Sequence, residues 1–301
     1  MPELHLALDI GGTKIAAGLV DPHGTPMYRA HVPTPRADAE AIWGSVDAVI
    51  GRTLTAARGR VTGVGIACAG PIDVPAGTVS PINIPAWQHF PIVGRVAART
   101  GLPVRLAGDV VCLTLGEQWR GAARGARFVL GMVVSTGIGG GLVLDGRPYL
   151  GRTGNAGHIG HVVVQSGGPA CACGGHGCVE ALASGPHLVR WAREHGWDAP
   201  PDADAEVLAR AASGGDEVAV RAFAQGADAI AAAVASVAAV CDLDLVVLGG
   251  GVAGAGEVLF GPLRERLGFY AGLDFLRPLA VVPAALGADA GLVGAAALFR
   301  P

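Results

Sequence analysis

Residues 4–20 read Leu4-His5-Leu6-Ala7-Leu8-Asp9-Ile10-Gly11-Gly12-Thr13-Lys14-Ile15-Ala16-Ala17-Gly18-Leu19-Val20. This is an apolar strand, a glycine turn and a second apolar strand, closed by the turn residues Asp21-Pro22-His23-Gly24. The pattern returns roughly 130 residues later, where the strand Phe128 to Ser135 enters the turn Ser135-Thr136-Gly137-Ile138-Gly139-Gly140-Gly141. Gly140 to Leu144 then resumes strand character, with Asp145-Gly146 at the next turn. A third glycine turn, Gly249-Gly250-Gly251, follows the strand Leu243 to Leu248. The recurrence predicts a duplicated α/β architecture, two halves with a cleft between them.

Between these units, Ile42, Val46, Val49, Ile50 and Leu54 recur at helical spacing and predict a helix from Ala39 to Arg58. Gly63 to Ala69 reads as a buried strand, residues 70–91 as a proline-rich loop, and Val104 to Leu106 as a further strand. Asp109 stands just beyond that strand, where a helix from Val110 to Gly121 begins. One glycine turn alone is explained by tolerance of left-handed backbone. Three of them, each after an apolar strand, form arrays of backbone N–H donors that suit phosphate oxygens. None has Walker spacing. Gly249-x-Gly251-x-x-Gly254 fits a dinucleotide fingerprint, but no other part of a Rossmann unit accompanies it, so an NAD-dependent oxidoreductase ranks third among the readings.

Composition narrows the function classes. The chain has 301 residues, 51% of them hydrophobic, and a mean hydropathy of +0.45. That is ample for two cores and excludes disorder. Net charge is −3 and the 22 basic residues are scattered, so neither nucleic acid nor an anionic membrane is an expected partner. The first residues lack the basic start and long apolar core of a secretion signal. The apolar stretch from Ala229 to Cys241 reads as too short to span a bilayer. The expectation is a cytoplasmic protein acting on a small molecule.

Three of the six cysteines fall in Cys171-Ala172-Cys173-Gly174-Gly175-His176-Gly177-Cys178, with His161 just upstream. Three thiolates and one imidazole fill a tetrahedral zinc shell, the closed arrangement of a structural site. The alternative is a Cys171–Cys178 disulfide with a spare thiol. Cys68, Cys112 and Cys241 lie in apolar runs and read as buried hydrophobes.

The glycine turn of residues 9–14, the turn of residues 135–141, Gly157-His158-Ile159-Gly160-His161, Cys171-x-Cys173-Gly174-x-x-Gly177-Cys178-x-Glu180 and Gly249-Gly250-Gly251 occur in an order that resembles the ROK family of bacterial sugar kinases and repressors. The likeness covers nearly the whole chain. It implies an α/β chain with the actin-like ATPase (ribonuclease H-like) fold: an N-terminal domain over residues 1–115, completed by a C-terminal helix within 288–301, and a second domain over residues 116–287 carrying the zinc loop. ATP and sugar would lie in the cleft, and the chain would be a homodimer.

The resemblance also implies roles. Asp109 matches the general base that accepts the proton of the sugar hydroxyl, the 6-hydroxyl of a hexose, as it attacks the γ-phosphate of ATP. Without the match, Asp109 would read as a helix N-cap. Asp9 would hold Mg²⁺ through water. Gly11, Gly12, Thr13 and Lys14 would lie against the phosphates, Thr136, Gly137 and Gly139 would form the second phosphate turn, and Gly250 and Gly251 would approach the nucleotide. Asn83, His158, His161 and Glu180 match the sugar-contacting positions, with a turn Asx and a solvated helix-start glutamate as the plain readings of Asn83 and Glu180. His161, Cys171, Cys173 and Cys178 would hold structural Zn²⁺, His161 with one nitrogen on the metal and the other toward the sugar. Trp87 reads as core.

Two positions depart from the common family pattern. Gly108 stands where an Asn usually precedes the catalytic Asp, and His158 where a Glu lies three residues before the zinc histidine. A sugar hydroxyl left without its partner costs about 1–3 kcal/mol, so glucose binding in its usual form is in question. The His-x-Gly-His version resembles the N-acetylmannosamine kinases of the family. The expected activity is thus ATP-dependent phosphorylation of a glucose-like hexose or an N-acylhexosamine. The alternatives are a sugar-binding pseudokinase and a repressor, the latter opposed by a first strand that starts at Leu4 and leaves no room for a winged helix-turn-helix.

Overall fold

The computed structural model describes residues 3–300; the domain limits set at residues 1 and 301 lie outside them. The chain divides into two compact units. The first holds the described residues up to Gly125, Gly141–Gly157 and those from Ala285 onward; the second holds Ala126–Gly140 and His158–Ala284. The first unit therefore runs past the expected limit at 115, which would have cut a helix in two.

In the first unit, β1 (Glu3–Ile10) and β2 (Lys14–Val20) form the expected antiparallel hairpin, Asp9 opposite Ala16. A strand that the sequence did not announce, β3 (Pro26–Pro33), adds to the edge. Helix α1 (Ala39–Thr55) follows, capped by the Asp38 side chain, which accepts from the Ala41 N–H at 2.8 Å. Then come β4 (Arg60–Cys68), the two-residue strands β5 (Ile72–Asp73) and β6 (Thr78–Val79), α2 (Ile92–Thr100), β7 (Val104–Gly108) and α3 (Asp109–Arg120). The sheet order is β3-β2-β1-β4-β7, with β1, β4 and β7 parallel. Residues 70–91 form more than the expected loop: β5 and β6 pair, and Trp87 is fully buried, stacked on Phe90 at 4.3 Å.

The second five-stranded sheet has the order β10-β9-β8-β11-β12. Its strands are β8 (Val129–Val134), β9 (Ile138–Leu144), β10 (Arg147–Tyr149), β11 (Leu245–Gly249) and β12 (Ala280–Pro283). The expected turn between β9 and β10 has both Asp145 and Gly146 at positive φ, 54° and 75°, as a two-residue hairpin of this hand requires. The second unit carries α4 (Glu180–Ala183), α5 (Gly185–Glu194), α6 (Ala205–Ser213), α7 (Glu217–Cys241) and α8 (Glu257–Tyr270). Among the described residues, α7 is long and apolar enough to cross a membrane, at 25 residues and mean hydropathy 1.6. The stretch from Ala229 to Cys241 is the second half of this longer helix. Its most apolar stretch is 56% buried inside the protein, with Phe223, Ile230 and Val234 fully covered, as in the core helix of a globular domain.

The closing helix, α9 (Ala290–Ala297), belongs to the first unit and packs on α3, β1 and β4. Close approach is obtained with glycines: a Cβ on Gly65 would overlap the Ala295 carbonyl, and one on Gly294 the Cys112 carbonyl. The return of the chain is fixed by Glu117, fully buried on α3, whose carboxylate accepts from the backbone N–H groups of Ala122, Ala285 and Leu286 at 2.7–2.9 Å. Three N–H donors are what a buried carboxylate needs in place of water.

Candidate functional site

Parallel pairing places the two acidic candidates. Ile10 pairs with Cys68 and Cys68 with Gly108, so β1, β4 and β7 end in one row. Asp9 is one residue before that row and Asp109 one residue after it. The two backbones stand about 10 Å apart, two strand spacings, at the carboxyl ends where open α/β sheets bind ligands. Asp109 is the first residue of α3, and Gly108 holds the N-cap position with no side chain to offer. The N-cap reading of Asp109 is therefore not what the structure shows. Its Oδ1 accepts from the Val110 N–H at 2.8 Å, which orients the carboxylate at the helix start. Burial and the nearby Asp109 push Asp9 up to about 6, partly offset by Lys14. Gly291, at the start of α9, leaves the space that the Asp9 carboxylate occupies; a Cβ there would overlap it. Cys68 and Cys112 are fully buried, and burial, with both carboxylates nearby, raises their thiols. They are inert hydrophobes, as expected.

The first glycine turn is closed by the Gly11 N–H donating to the Lys14 carbonyl at 2.9 Å. It is braced by Thr34, whose hydroxyl donates to the Gly11 carbonyl at 2.6 Å and whose N–H donates to the Thr13 carbonyl at 3.0 Å. Thr13 and Lys14 stand exposed at its tip. Asn83 lies directly against this turn: a Cβ on Gly12 would be 2.7 Å from the Asn83 Cβ. The asparagine and the turn are thus one surface, which the sequence, with 70 positions between Gly12 and Asn83, does not reveal.

In the second unit the other two glycine turns meet. Gly250, at φ 92°, lies on the backbone of Val134 so closely that any Cβ would overlap it, and the space a Cβ on Gly251 would fill is 3.8 Å from the Ser135 hydroxyl. The Ser135 N–H donates to the Gly137 carbonyl at 2.9 Å, which shapes the turn of Ser135, Thr136 and Gly137; Gly139, expected in the turn, lies in β9, which starts at Ile138 rather than at Gly140. Beside Thr136 and Gly251 opens a cavity of about 970 Å³, walled by α5 and α6 and bordered by Arg190, Asp204 and Arg210. Its size suits a nucleoside. No sequence signal marks these walls, because α5 and α6 are short amphipathic helices without a motif.

His161, Cys171, Cys173 and Cys178 come together as expected, their ligand atoms all within 4.8 Å of one another. Cys173 Sγ and Cys178 Sγ are 3.8 Å apart, and His161 Nδ1 is 3.8 Å from Cys171 Sγ. A tetrahedral zinc with Zn–S bonds of about 2.3 Å has edges of about 3.8 Å, so the donor set and its spacing fit Zn²⁺. No disulfide forms among them, so that alternative is set aside. Cys241, expected to be buried, is only partly so. His158 precedes the one-turn helix Ile159–His161, its ring 6.3 Å from that of His161 and nearly parallel to it. Glu180 opens α4, and its carboxylate accepts from the Ile138 N–H at 2.8 Å, so it is not the solvated helix-start residue of the plain reading.

The geometry calls for one zinc per chain. Metal analysis of the purified protein is expected to return that stoichiometry, and Cys173→Ser is expected to lose the metal and lower the melting temperature. Full metal content in Cys173→Ser would refute the four-ligand site.

Comparison with known proteins agrees with the architecture. The chain is 37% identical over 319 residues to a glucokinase of Thermotoga maritima, covering 100% of this chain and 98% of that one. It is 35% identical over 297 residues to an N-acetylmannosamine kinase of Citrobacter koseri, covering 98% of each. Among solved structures, a ROK family glucokinase from Streptomyces griseus in complex with glucose and AMPPNP superposes with a TM-score of 0.81 at 36% identity, covering 98% of each chain. The fold is that of the two-domain actin-like ATPases. A sequence profile of the ROK family matches residues 5–301, and the chain belongs to that family.

Proposed function

We propose that this sugar kinase transfers the γ-phosphoryl group of ATP to the 6-hydroxyl of a glucose-like hexose or N-acylhexosamine, with Asp109 as general base. The observation that carries the reading is the row of parallel strand ends: it sets two carboxylates at one edge, beside a glycine turn in contact with Asn83. The Asp109 carboxylate takes the proton of the 6-hydroxyl as that oxygen forms its bond to the γ-phosphorus. The bond from the γ-phosphorus to the bridging oxygen breaks, and ADP leaves with the electron pair. Gly11, Gly12, Thr13 and Lys14 bind phosphate, as do Thr136, Gly137, Gly139, Gly250 and Gly251. The cavity beside Thr136 and Gly251 takes the adenosine. Mg²⁺ carried with ATP neutralises phosphate charge, and Asp9 is the carboxylate that would hold it. Bound zinc keeps the loop of residues 158–180 in one shape, so that His158, His161 and Glu180 stay in place for the sugar. The protein acts as a cytoplasmic homodimer with its thiols reduced.

His158 favours the N-acylated sugar. A carboxylate at this position only accepts hydrogen bonds, whereas a neutral imidazole also donates one, which suits a carbonyl oxygen. Gly108 likewise has no side chain where an asparagine is usual. The chain is similar in sequence to both glucokinases and N-acetylmannosamine kinases.

Two measurements test this reading. Asp109→Asn is expected to lower kcat by about 10²-fold or more while ATP and sugar still bind in calorimetry; near-normal turnover would remove Asp109 from the proton transfer. His158→Glu is expected to move the ratio of kcat/KM toward glucose and away from N-acetylated sugars by about tenfold, the worth of one hydrogen bond. An unchanged ratio would take position 158 out of sugar selection.

A further inference from the structure

The peptide of Ile138 is held from both sides. Its N–H donates to Glu180 Oε2 at 2.8 Å. The same oxygen fills the space beside Gly137, where a Cβ would lie only 2.8 Å from it. On the carbonyl side, Gly160 approaches so closely that a Cβ would overlap the Ile138 oxygen. Ile138 opens β9 directly after the second glycine turn, with Gly137 before it and Gly139 after it. The two segments that hold it end at metal ligands: Gly160 adjoins His161, and Glu180 follows Cys178 by two residues. Just beyond α4, the Gly185 N–H donates to the Ser135 carbonyl at 2.8 Å, so the same stretch of chain also ties the start of the turn.

We infer that Glu180 is a positioning residue for the phosphate groups of the nucleotide: by accepting the Ile138 N–H it fixes the turn of residues 135–137, and through it the metal-bearing loop sets phosphate affinity before any sugar binds. A turn whose N–H groups are to meet an anion has to be held in shape by something other than the anion, because ordering it on binding would subtract from affinity. A charged acceptor on a backbone donor is a strong way to hold it. The carboxylate reaches this donor only because α4 begins two residues after a metal ligand, and the glycine at 137 leaves the room. A sugar-contacting role for Glu180 does not account for either contact, since both are made within the second unit to the turn itself. The inference rests on the reading of residues 135–137 as a phosphate turn.

The test compares ADP with adenosine, each titrated by calorimetry into the metal-replete protein without sugar. Adenosine reports the cavity between α5 and α6, and ADP adds the phosphate contacts. Glu180→Asp draws the carboxylate back by one methylene and keeps the charge; it is expected to weaken ADP about tenfold and leave adenosine unchanged. Glu180→Gln keeps an acceptor oxygen at full length and is expected to hold ADP affinity within about threefold of the wild type. ADP affinity unaltered in Glu180→Asp, ADP and adenosine weakened alike, or Glu180→Gln behaving as Glu180→Asp would each overturn the inference. If the wild type itself binds ADP no more tightly than adenosine, the phosphate reading of the turn fails, and this inference with it.

Discussion

The parallel register of β1, β4 and β7 is the constraint on which the chemistry of the first unit depends. Because Ile10, Cys68 and Gly108 end in one row, the chain has one edge where it can turn out of the sheet and expose backbone donors and carboxylates together. The first strand leaves into a glycine turn and the third into a helix, so that turn and an oriented Asp109 share the edge. Burial beneath them is complete: Leu6, Leu8, Ile10, Ile66 and Cys68 have no exposed surface. The same dry surroundings that stabilise the sheet raise Asp9 to about 6. Burial thus weighs against its charge, and a cation beside it would favour that charge. The closing helix makes this possible, since Gly65, Gly291 and Gly294 let it lie on the sheet and on α3 without displacing the Asp9 carboxylate.

The second unit solves a different problem. Its loop from 158 to 180 contains little that could form a core of its own: the buried apolar cluster beside the metal ligands is Cys171, Cys178 and Ala181. A metal held by His161 and the three cysteines would do for the loop what apolar burial does for the sheets. Two glycines then transmit the order inward, Gly160 at the Ile138 carbonyl and Gly137 at the Glu180 carboxylate. The loop and the glycine turn thus form one piece of structure.

What the sequence revealed follows from the range of the interactions. The strand–glycine–strand units and the zinc ligands were legible because their signals are local, an apolar run that stops at glycine or a spacing of two and five residues between cysteines. The strand β3 was missed because it is an edge strand, alternately half-buried and exposed, bounded by Pro26 and Pro33. Helix α2 was missed because its nine residues bury only Ile92 and Val96. Glu117 looked like any charge on an amphipathic helix, since two of the N–H groups it satisfies arrive 168 and 169 residues later. The meeting of Gly250 with Val134, and of Asn83 with Gly12, likewise depends on chain folding that no local pattern encodes. The change of the expected boundary at 115 has the same origin, for the register of α3 against α9 is a tertiary contact.

The central claim is phosphoryl transfer from ATP to a sugar by a chain whose glycine turns, carboxylates and zinc loop act together. It is tested most directly by coupled measurement of ADP release with the metal-replete protein over a panel of hexoses and N-acylhexosamines. The account predicts sugar-dependent ADP release with at least one of them, accompanied by the 6-phosphate product, and ATP hydrolysis near background without sugar. ADP release that no sugar on the panel raises above that background would contradict it.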